Sequence, residues 1–313
     1  MGALLFALRG AHLEELRDDL ASTNWWWVAV AVVGDLSVYL MHGSRWQVLL
    51  RPVVRLNYWE PVRAIYVGLF ANEIIPLRAG ELVRCYILSQ HPDLPLSVAL
   101  TSALMERVFD GIWLCVLLIV MLRFLPLPSD MHYVVSGAYA LGAAVLLVSV
   151  ILSILLFRKH AEPRSEPVTK WQRQWRTLGD DLEIIGHSRS LLSSLFLGLP
   201  YLLLQVVPIY AGLRAYGFDL PLGAAFALMV ILRLGSILPQ APGNIGVFQV
   251  LTRETLVKIF DVVPDEAARF SLLLWALVTL PLLIGGAVAL FFSESSLGQI
   301  HSSAQAEREA LGK

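Results

Sequence analysis

The sequence predicts an all-α polytopic membrane protein with about eight membrane segments, two of them broken or re-entrant. Of the 313 residues, 57% are hydrophobic and only 16% are charged, whereas soluble domains average about 45–50% and about 25%. The mean hydropathy is +0.65. Apolar residues recur from Trp25 to Phe292, and a single membrane anchor cannot account for that distribution.

Five stretches are long enough to cross a hydrocarbon core of about 30 Å, which takes about 20 apolar residues in a helix. They cover residues 25–50, 96–125, 133–157, 191–216 and 271–292. Three further apolar stretches, at 64–77, 220–238 and 245–263, are shorter or interrupted. A break at membrane depth exposes backbone polar groups, so it is tolerated only inside protein or beside a polar cavity.

The two main breaks share a pattern of an apolar pair, a proline and a glycine four residues further on. The first contains Pro76 and Gly80. The residues that we expect to break the second are Pro239, Pro242, Gly243 and Gly246. This pattern is typical of transporters in which the broken helices of two repeats meet at a central site. Coincidence is the alternative, because Pro and Gly are common in membrane helices.

The segments divide the chain into an N-terminal amphipathic segment (1–24), a first membrane half (25–157), a loop (158–190), a second membrane half (191–292) and a polar tail (293–313). Residues 158–189 are rich in Lys and Arg, which predicts a cytoplasmic loop. If all eight segments cross the membrane, both termini are cytoplasmic as well. If the broken segments are re-entrant, the N-terminus is external and Arg45, Arg51 and Arg55 are cytoplasmic.

The first charged cluster lies in the stretch NEIIPLRAGELVR at 72–84, which contains Glu73, Arg78, Glu81 and Arg84. The last three recur at every third position, so they fall near one helix face. Ionisable residues inside spans are costly and usually mark functional sites. In the functional interpretation, Arg78 and Arg84 bind an anion. In the structural interpretation, the cluster is an ion-pair network that holds helices together.

The second cluster is MERVFDG, with Glu106, Arg107 and Asp110. Glu106 and Asp110 are four residues apart and share a helix face, so they need a cation, while Arg107 is expected to point elsewhere. We interpret these three residues, with Glu73 and Glu81, as charge-balancing or proton-coupling groups. The alternative is an ordinary helix start at the interface, with an arginine reaching to the headgroups.

The third cluster is PGNIGVFQVLTRE, in which Asn244 follows Gly243 and is predicted to cap a helix. A helix N-terminus can hold a phosphate or carboxylate, and Arg253 adds a positive charge to the predicted anion site. Arg214 and Arg233 either add charge there or lie at lipid headgroups. Asp35 stands alone in the first span, where we expect a structural hydrogen bond.

Several function classes lack support in the sequence. A net charge of -1 provides no field for nucleic acid. The sequence contains no G-x-x-x-x-G-K-[ST] phosphate loop, no H-E-x-x-H pair and no G-x-S-x-G elbow, so ATP hydrolysis, metal chemistry and that type of acyl transfer are unsupported. We expect no cofactor, no metal, no catalytic residue and no enzyme activity.

At these clusters the sequence resembles the flippase-like membrane domain of lysylphosphatidylglycerol synthases and its stand-alone relatives. The resemblance rests on NEIIPLRAGELVR at 72–84, MERVFD at 105–110 and PQAPGNIG at 239–246, and it spans nearly the whole chain. It implies a role for the motif residues, which are Pro76, Arg78, Gly80, Glu81, Arg84, Glu106, Arg107, Asp110, Pro239, Pro242, Gly243 and Gly246. The family often has a glutamate where this chain has Gln249, which puts a proton-carrying role there in doubt.

The resemblance implies a lipid transporter of the bacterial plasma membrane that moves an anionic phospholipid or related lipid between leaflets. Because the aminoacyl-transferase domain of the synthases has no counterpart in this sequence, we expect no lysyl transfer. Expected partners are a membrane phospholipid or other anionic lipid, lipid-biosynthesis enzymes and a second copy of the chain, but no nucleic acid. Two alternatives remain open: an enzyme acting on a lipid-linked phosphate or sugar, and a scaffold of a lipid-synthesis complex.

Overall fold

A computed structural model describes residues 15–74, 80–124, 189–236 and 242–311, together with isolated positions between 136 and 147. Side chains of the last segment are described as far as 292. In this part of the chain the secondary structure is helical and contains no strand, which confirms the predicted all-α class. Pro76, Arg78, Pro239 and almost all of the 158–189 loop lie outside the described residues.

The helices are α1 (Leu16–Ser22), α2 (Trp25–Leu50), α3 (Trp59–Ile74), α4 (Gly80–Leu88), α5 (Leu96–Phe124), α6 (Arg189–Leu204), α7 (Val206–Tyr216), α8 (Leu222–Gly235), α9 (Val247–Phe260) and α10 (Pro264–Leu311). A short 3-10 turn, Pro242–Asn244, precedes α9. Asn24 caps α2, since its side chain accepts a hydrogen bond from the Trp26 amide at 3.1 Å. Gly217 ends α7 with φ 95°, a conformation that glycine adopts without strain.

Three helical stretches of the described chain are long and apolar enough to cross a membrane, namely Trp25–Leu50, Arg189–Tyr216 and Pro264–Phe292. The second comprises α6 and α7 together. Helix α5 has 29 residues, so its length also suffices to cross. It carries the charged second cluster, Glu106, Arg107 and Asp110, in its interior.

The helix pair α3–α4 enters and leaves the membrane on the same side. The side where α2 begins is called the Trp25 face, and the side where α2 ends is called the Leu50 face. One apolar cluster joins Leu49 and Leu50 at the end of α2 with Leu88 at the end of α4 and Leu94 beyond it. Since α3 begins shortly after α2 ends, α3 and α4 form a re-entrant hairpin open to the Leu50 face.

The helix pair α8–α9 is the opposite hairpin, open to the Trp25 face. Phe218, which precedes α8, and Phe260, at the end of α9, belong to one apolar cluster with Phe270 of α10. The backbone amide of Asn24 donates to the Ala215 carbonyl at 2.9 Å, which places the end of α7, and Phe218 shortly after it, at the Trp25 face. Both broken segments are therefore re-entrant, and they enter from opposite sides.

The helices form two halves with matching contacts. In the first half, α2 packs on α3, α3 on α4, and α4 on α5. In the second half, α7 packs on α8, α8 on α9, and α9 on α10. The halves also exchange equivalent contacts, since α3 packs on α10 and α8 packs on α5. This pattern, with hairpins of opposite direction, is the arrangement expected of two inverted repeats.

Close backbone approach holds the first hairpin together. A Cβ atom on Gly80 would lie 1.8 Å from the Gly68 carbonyl oxygen, so only glycine fits there. The Gly80 amide donates to Asn72 Oδ1 at 2.8 Å, which gives a buried backbone donor a partner where the helix restarts.

Candidate functional site

The two hairpins meet at a central cavity of about 520 Å³. Asn72 and Glu73 line it from the end of α3, Glu81 and Arg84 from α4, and Asn244 from the turn before α9. Helix α2 completes the wall with Asp35, Tyr39 and His42, and α10 with Trp275 and Thr279. A polar cavity at the depth of a broken helix is the position at which transporters bind their substrates.

Arg84 is held in a buried ion-pair network on the first-half side of the cavity. Its guanidinium lies 3.0 Å from a carboxylate oxygen of Glu106 and 2.9 Å from one of Glu81. The guanidinium also lies 4.6 Å from the ring centre of Trp46 and 3.2 Å from His42 Nε2. Two carboxylates at this distance compensate the single charge of Arg84.

Arg45 is the other buried cation of this network, and its side chain is 0% exposed. It pairs with Asp110 at 2.5 Å and donates to the backbone carbonyls of Ser194 at 3.2 Å and Glu106 at 3.3 Å. These contacts join α2, α5 and α6. Arg107 pairs with Glu81 and lies 3.8 Å from Asp110, so all three acids of the network face an arginine.

Arg233 lines the second-half side of the cavity and has a different environment. Its Nε donates to Gln205 Oε1 at 2.5 Å, and Nη2 donates to the Tyr201 hydroxyl at 3.0 Å. The guanidinium also lies 5.7 Å from the Tyr201 ring centre. These partners are neutral, and Arg233 forms no ion pair with a described carboxylate.

Asp35 lies near the middle of α2 and lines the same cavity. It is 5% exposed, and its Oδ2 atom has no hydrogen-bond partner. No described basic side chain forms an ion pair with it. The structural hydrogen bond expected for Asp35 is therefore absent at that atom.

The structure brings most of the predicted site residues together. Glu73, Gly80, Glu81, Arg84, Arg107 and Asn244 line the cavity, and Glu106 and Asp110 belong to the adjoining network. Gly243 lies beside the cavity, where its carbonyl accepts from Trp275 Nε1 at 2.7 Å. Arg253 pairs with Glu254 at 2.5 Å and is not part of the cavity wall.

Two local predictions were wrong. Asn244 does not cap α9, because the helix begins at Val247 after Gly246, and Asn244 itself lies in the preceding turn with φ 55°. The Gly246 amide donates to Gln249 Oε1 at 2.6 Å, which provides a side-chain acceptor at the helix start. Arg107 does not point away from the acids, because it pairs with Glu81 across helices.

The sequence interpretation missed the contribution of α2 and of Tyr201 on α6 to the site. His42, Arg45 and Tyr201 contact the network or the cavity, yet none was a candidate binding residue. A signal was present, because Asp35, Tyr39, His42 and Trp46 recur at three or four residues and so share a face. Among the described residues no group of His, Cys, Asp and Glu is arranged to hold a metal ion.

A family model described as "Lysylphosphatidylglycerol synthase TM region" matches residues 1–286. A UPF0104 membrane protein of Methanothermobacter thermautotrophicus is 25% identical over 254 residues, which cover 72% of this chain and 72% of that protein. A second from the same organism is 23% identical over 258 residues, covering 74% and 75%. Glycosyltransferase AglD of Haloferax volcanii is 24% identical over 302 residues, covering 83% of this chain but 47% of AglD. No solved structure matches the chain significantly.

Proposed function

The chain belongs to the family of the lysylphosphatidylglycerol synthase TM region, and from this premise we propose that it transports an anionic phospholipid or a related lipid between leaflets. The observation that carries the proposal is the charged cavity between two re-entrant hairpins that open to opposite faces. A headgroup needs a polar path through hydrocarbon, whereas its acyl chains can remain in the lipid. Transport is downhill or ion-coupled, without ATP hydrolysis by this chain.

In this proposal the headgroup phosphate binds on the side of the cavity where Arg233 lies. A guanidinium binds phosphate through two parallel hydrogen bonds, and the hydrogen-bond partners of Arg233, Gln205 and Tyr201, are neutral, so no ion pair has to be broken. Asn244 lines the same cavity. Arg84 contributes positive potential, while its acidic partners Glu81 and Glu106 balance the network.

The direct test uses vesicles of phosphatidylglycerol and phosphatidylcholine with the purified protein and a fluorescently labelled phosphatidylglycerol. Dithionite bleaches the label only in the outer leaflet, so a transporter brings the inner-leaflet label within reach. We expect nearly complete bleaching with protein and partial bleaching in empty vesicles. Equal bleaching in both preparations contradicts the proposal.

The proposed membrane is the plasma membrane, with the Leu50 face in the cytoplasm. Arg51 and Arg55 lie on that face, and α6, which follows the basic stretch 158–189 in the sequence, begins there. The opposite face carries acidic residues, including Asp219 and Asp265. Basic loops mark the cytoplasmic side, so this orientation makes the N-terminus external. The bacterial origin stays a prediction, since the relatives named above are archaeal.

Thiol labelling in intact cells checks this orientation. We expect Pro52→Cys and Gln90→Cys to be protected from an impermeant maleimide until the cells are opened, and Asp219→Cys to react at once. All three positions are exposed, and the native cysteines are buried, so they need no replacement. If all broken segments crossed the membrane, positions 52 and 90 would lie on opposite sides and would label differently.

A second candidate function is transfer chemistry on a lipid-linked sugar, which the name of the relative AglD favours. This chain spans about half of AglD, so the match leaves the remainder of that protein without a counterpart. The carboxylates proposed for the chemistry, Glu106 and Asp110, are each held by an arginine, which opposes their use as acid and base. Conversion of a lipid to a new product by pure protein would favour this candidate. A scaffold would be favoured if removing this protein from the cell displaced a lipid-synthesis enzyme from the membrane while lipid transport stayed unchanged.

A further inference from the structure

Asp35 differs from the other acids near the cavity. Glu81, Glu106 and Asp110 each face an arginine at ion-pair distance. Asp35 is as buried as a core residue, at 5% exposure, yet Oδ2 has no hydrogen-bond partner. Burying an ionised carboxylate without a partner costs several kcal/mol of free energy. A carboxyl group in such a site is therefore stable only when it binds a proton or a cation.

The groups that face Asp35 come from several helices. Tyr39 and His42 lie on α2 itself, and Tyr201 of α6, Arg233 of α8 and Arg107 of α5 line the same cavity. Tyr66 of α3 lies nearby, with its ring centre 5.6 Å from that of Tyr39. The cavity residues contributed by α10, including Thr279 and Trp275, carry no charge. Arg233 is therefore the cation in this wall that lacks a carboxylate partner among the described residues.

We propose that Asp35 is a proton-binding site, and that a proton and the anionic lipid cross the membrane together through it. When Asp35 is ionised, its carboxylate attracts the Arg233 guanidinium and competes with the headgroup phosphate for that charge. When Asp35 is protonated, the competition ends and Arg233 binds the phosphate more tightly. Proton and lipid therefore favour the same loaded state of the cavity.

This inference rests on the proposed function and adds an energy source and a direction to it. Two ligands that bind to one state with positive coupling are carried in the same direction when that state alternates between the two faces. A pH gradient should thus drive the lipid away from the acidic side. Glu81, Glu106 and Asp110 cannot bind the coupling proton in the same way, because protonation would remove their negative charge and leave an arginine uncompensated.

The test measures inward movement of a short-chain labelled phosphatidylglycerol in proteoliposomes, by extraction of the remaining outer label with albumin. Vesicles acidic outside and vesicles acidic inside are compared at the same pH difference. We expect the wild-type rate to be about 10-fold higher with acid outside, within the usual range of coupling between two ligands. Asp35→Asn should show equal rates in both, and Asp93→Asn, an exposed aspartate, should keep the wild-type ratio.

The outcomes separate the two proposals. A wild-type protein that moves lipid at the same rate in both gradients, or an Asp35→Asn variant with the wild-type ratio, overturns the proton site but leaves lipid transport standing. A wild-type protein that moves no lipid contradicts the proposed function itself.

A second measurement does not depend on transport. Dicyclohexylcarbodiimide reacts with protonated carboxyl groups in apolar surroundings, and mass spectrometry of the peptide that contains Asp35 counts the adduct. We expect the labelled fraction to rise as the pH falls and to be absent in Asp35→Asn. Labelling that is equal at every pH, or absent throughout, shows that Asp35 does not exchange a proton and overturns the inference.

Discussion

Replacing Arg45 with methionine is expected to lower the free energy of unfolding by about 3–5 kcal/mol, the usual cost of removing one partner of a buried ion pair. The Arg45 side chain is 0% exposed and is paired with Asp110 at 2.5 Å. Without it, the nearest cation to Asp110 is Arg107 at 3.8 Å. Methionine has a similar volume to arginine. The loss of unfolding free energy therefore comes mainly from the missing charge and its hydrogen bonds, and little of it comes from a cavity. Unfolding in mixed micelles of a mild detergent and dodecyl sulfate measures the change.

The double variant Arg45→Met/Asp110→Asn separates the pair from the rest of the network. Because the double variant leaves neither charge unpaired, it should be more stable than the sum of the two single losses predicts, by about 1–3 kcal/mol. Lys258→Met is the surface control, since Lys258 forms an exposed pair with Glu254 and should change stability by less than about 1 kcal/mol. Additive losses in the double variant would show that the ion pair is not the source of the effect.

The position of Arg45 explains why the sequence did not reveal this role. An arginine five residues before the end of an apolar span has the same local pattern whether it reaches the headgroups or points into the protein. Its partners Asp110 and Ser194 are 65 and 149 residues away. Only the packing of α2 against α5 and α6 decides between the two environments, and local periodicity contains no information about that packing.

Within the described residues, features that depend on local sequence were predicted well, whereas the span predicted at 133–157 lies almost wholly outside them. The spans follow from length and hydropathy, and the helix breaks follow from Pro and Gly, because the backbone itself imposes both. The re-entrant direction of the hairpins was one of two open alternatives. It depends on which helix ends share an apolar cluster, such as Leu50 with Leu88, and that is a property of tertiary structure.

The error at Asn244 has a local cause. Asn is a good N-cap, but the two glycines at 243 and 246 both adopt positive φ, 71° and 98°. They allow the chain to make an additional turn before α9 begins at Val247. The side chain that serves the helix start is Gln249, the position at which the family resemblance had suggested an acid. Its amide oxygen accepts a hydrogen bond from Gly246, which gives Gln249 a structural function.

Removing the charge of Arg233 is expected to lower the rate of anionic lipid movement about 10-fold to 100-fold. A hydrogen bond to a charged group contributes about 1.5–3 kcal/mol, and Arg233→Gln retains a polar side chain but loses that charge. The fold should survive, because the present partners, Gln205 and Tyr201, are neutral and the substitution breaks no ion pair among the described residues. Initial rates in the dithionite assay, at equal protein per vesicle, measure the effect.

Two further variants serve as controls for Arg233→Gln. Arg214→Gln removes an arginine of the same half that pairs with the exposed Asp219, and it should move lipid at the wild-type rate. Arg233→Lys keeps the charge but not the planar donor pair, so it should lie between wild type and Arg233→Gln. If Arg233→Gln moves lipid as fast as Arg214→Gln, the cation without an acidic partner is not the phosphate site. The anion would then have to bind at the Arg84 network, displacing a carboxylate from an ion pair that is already formed.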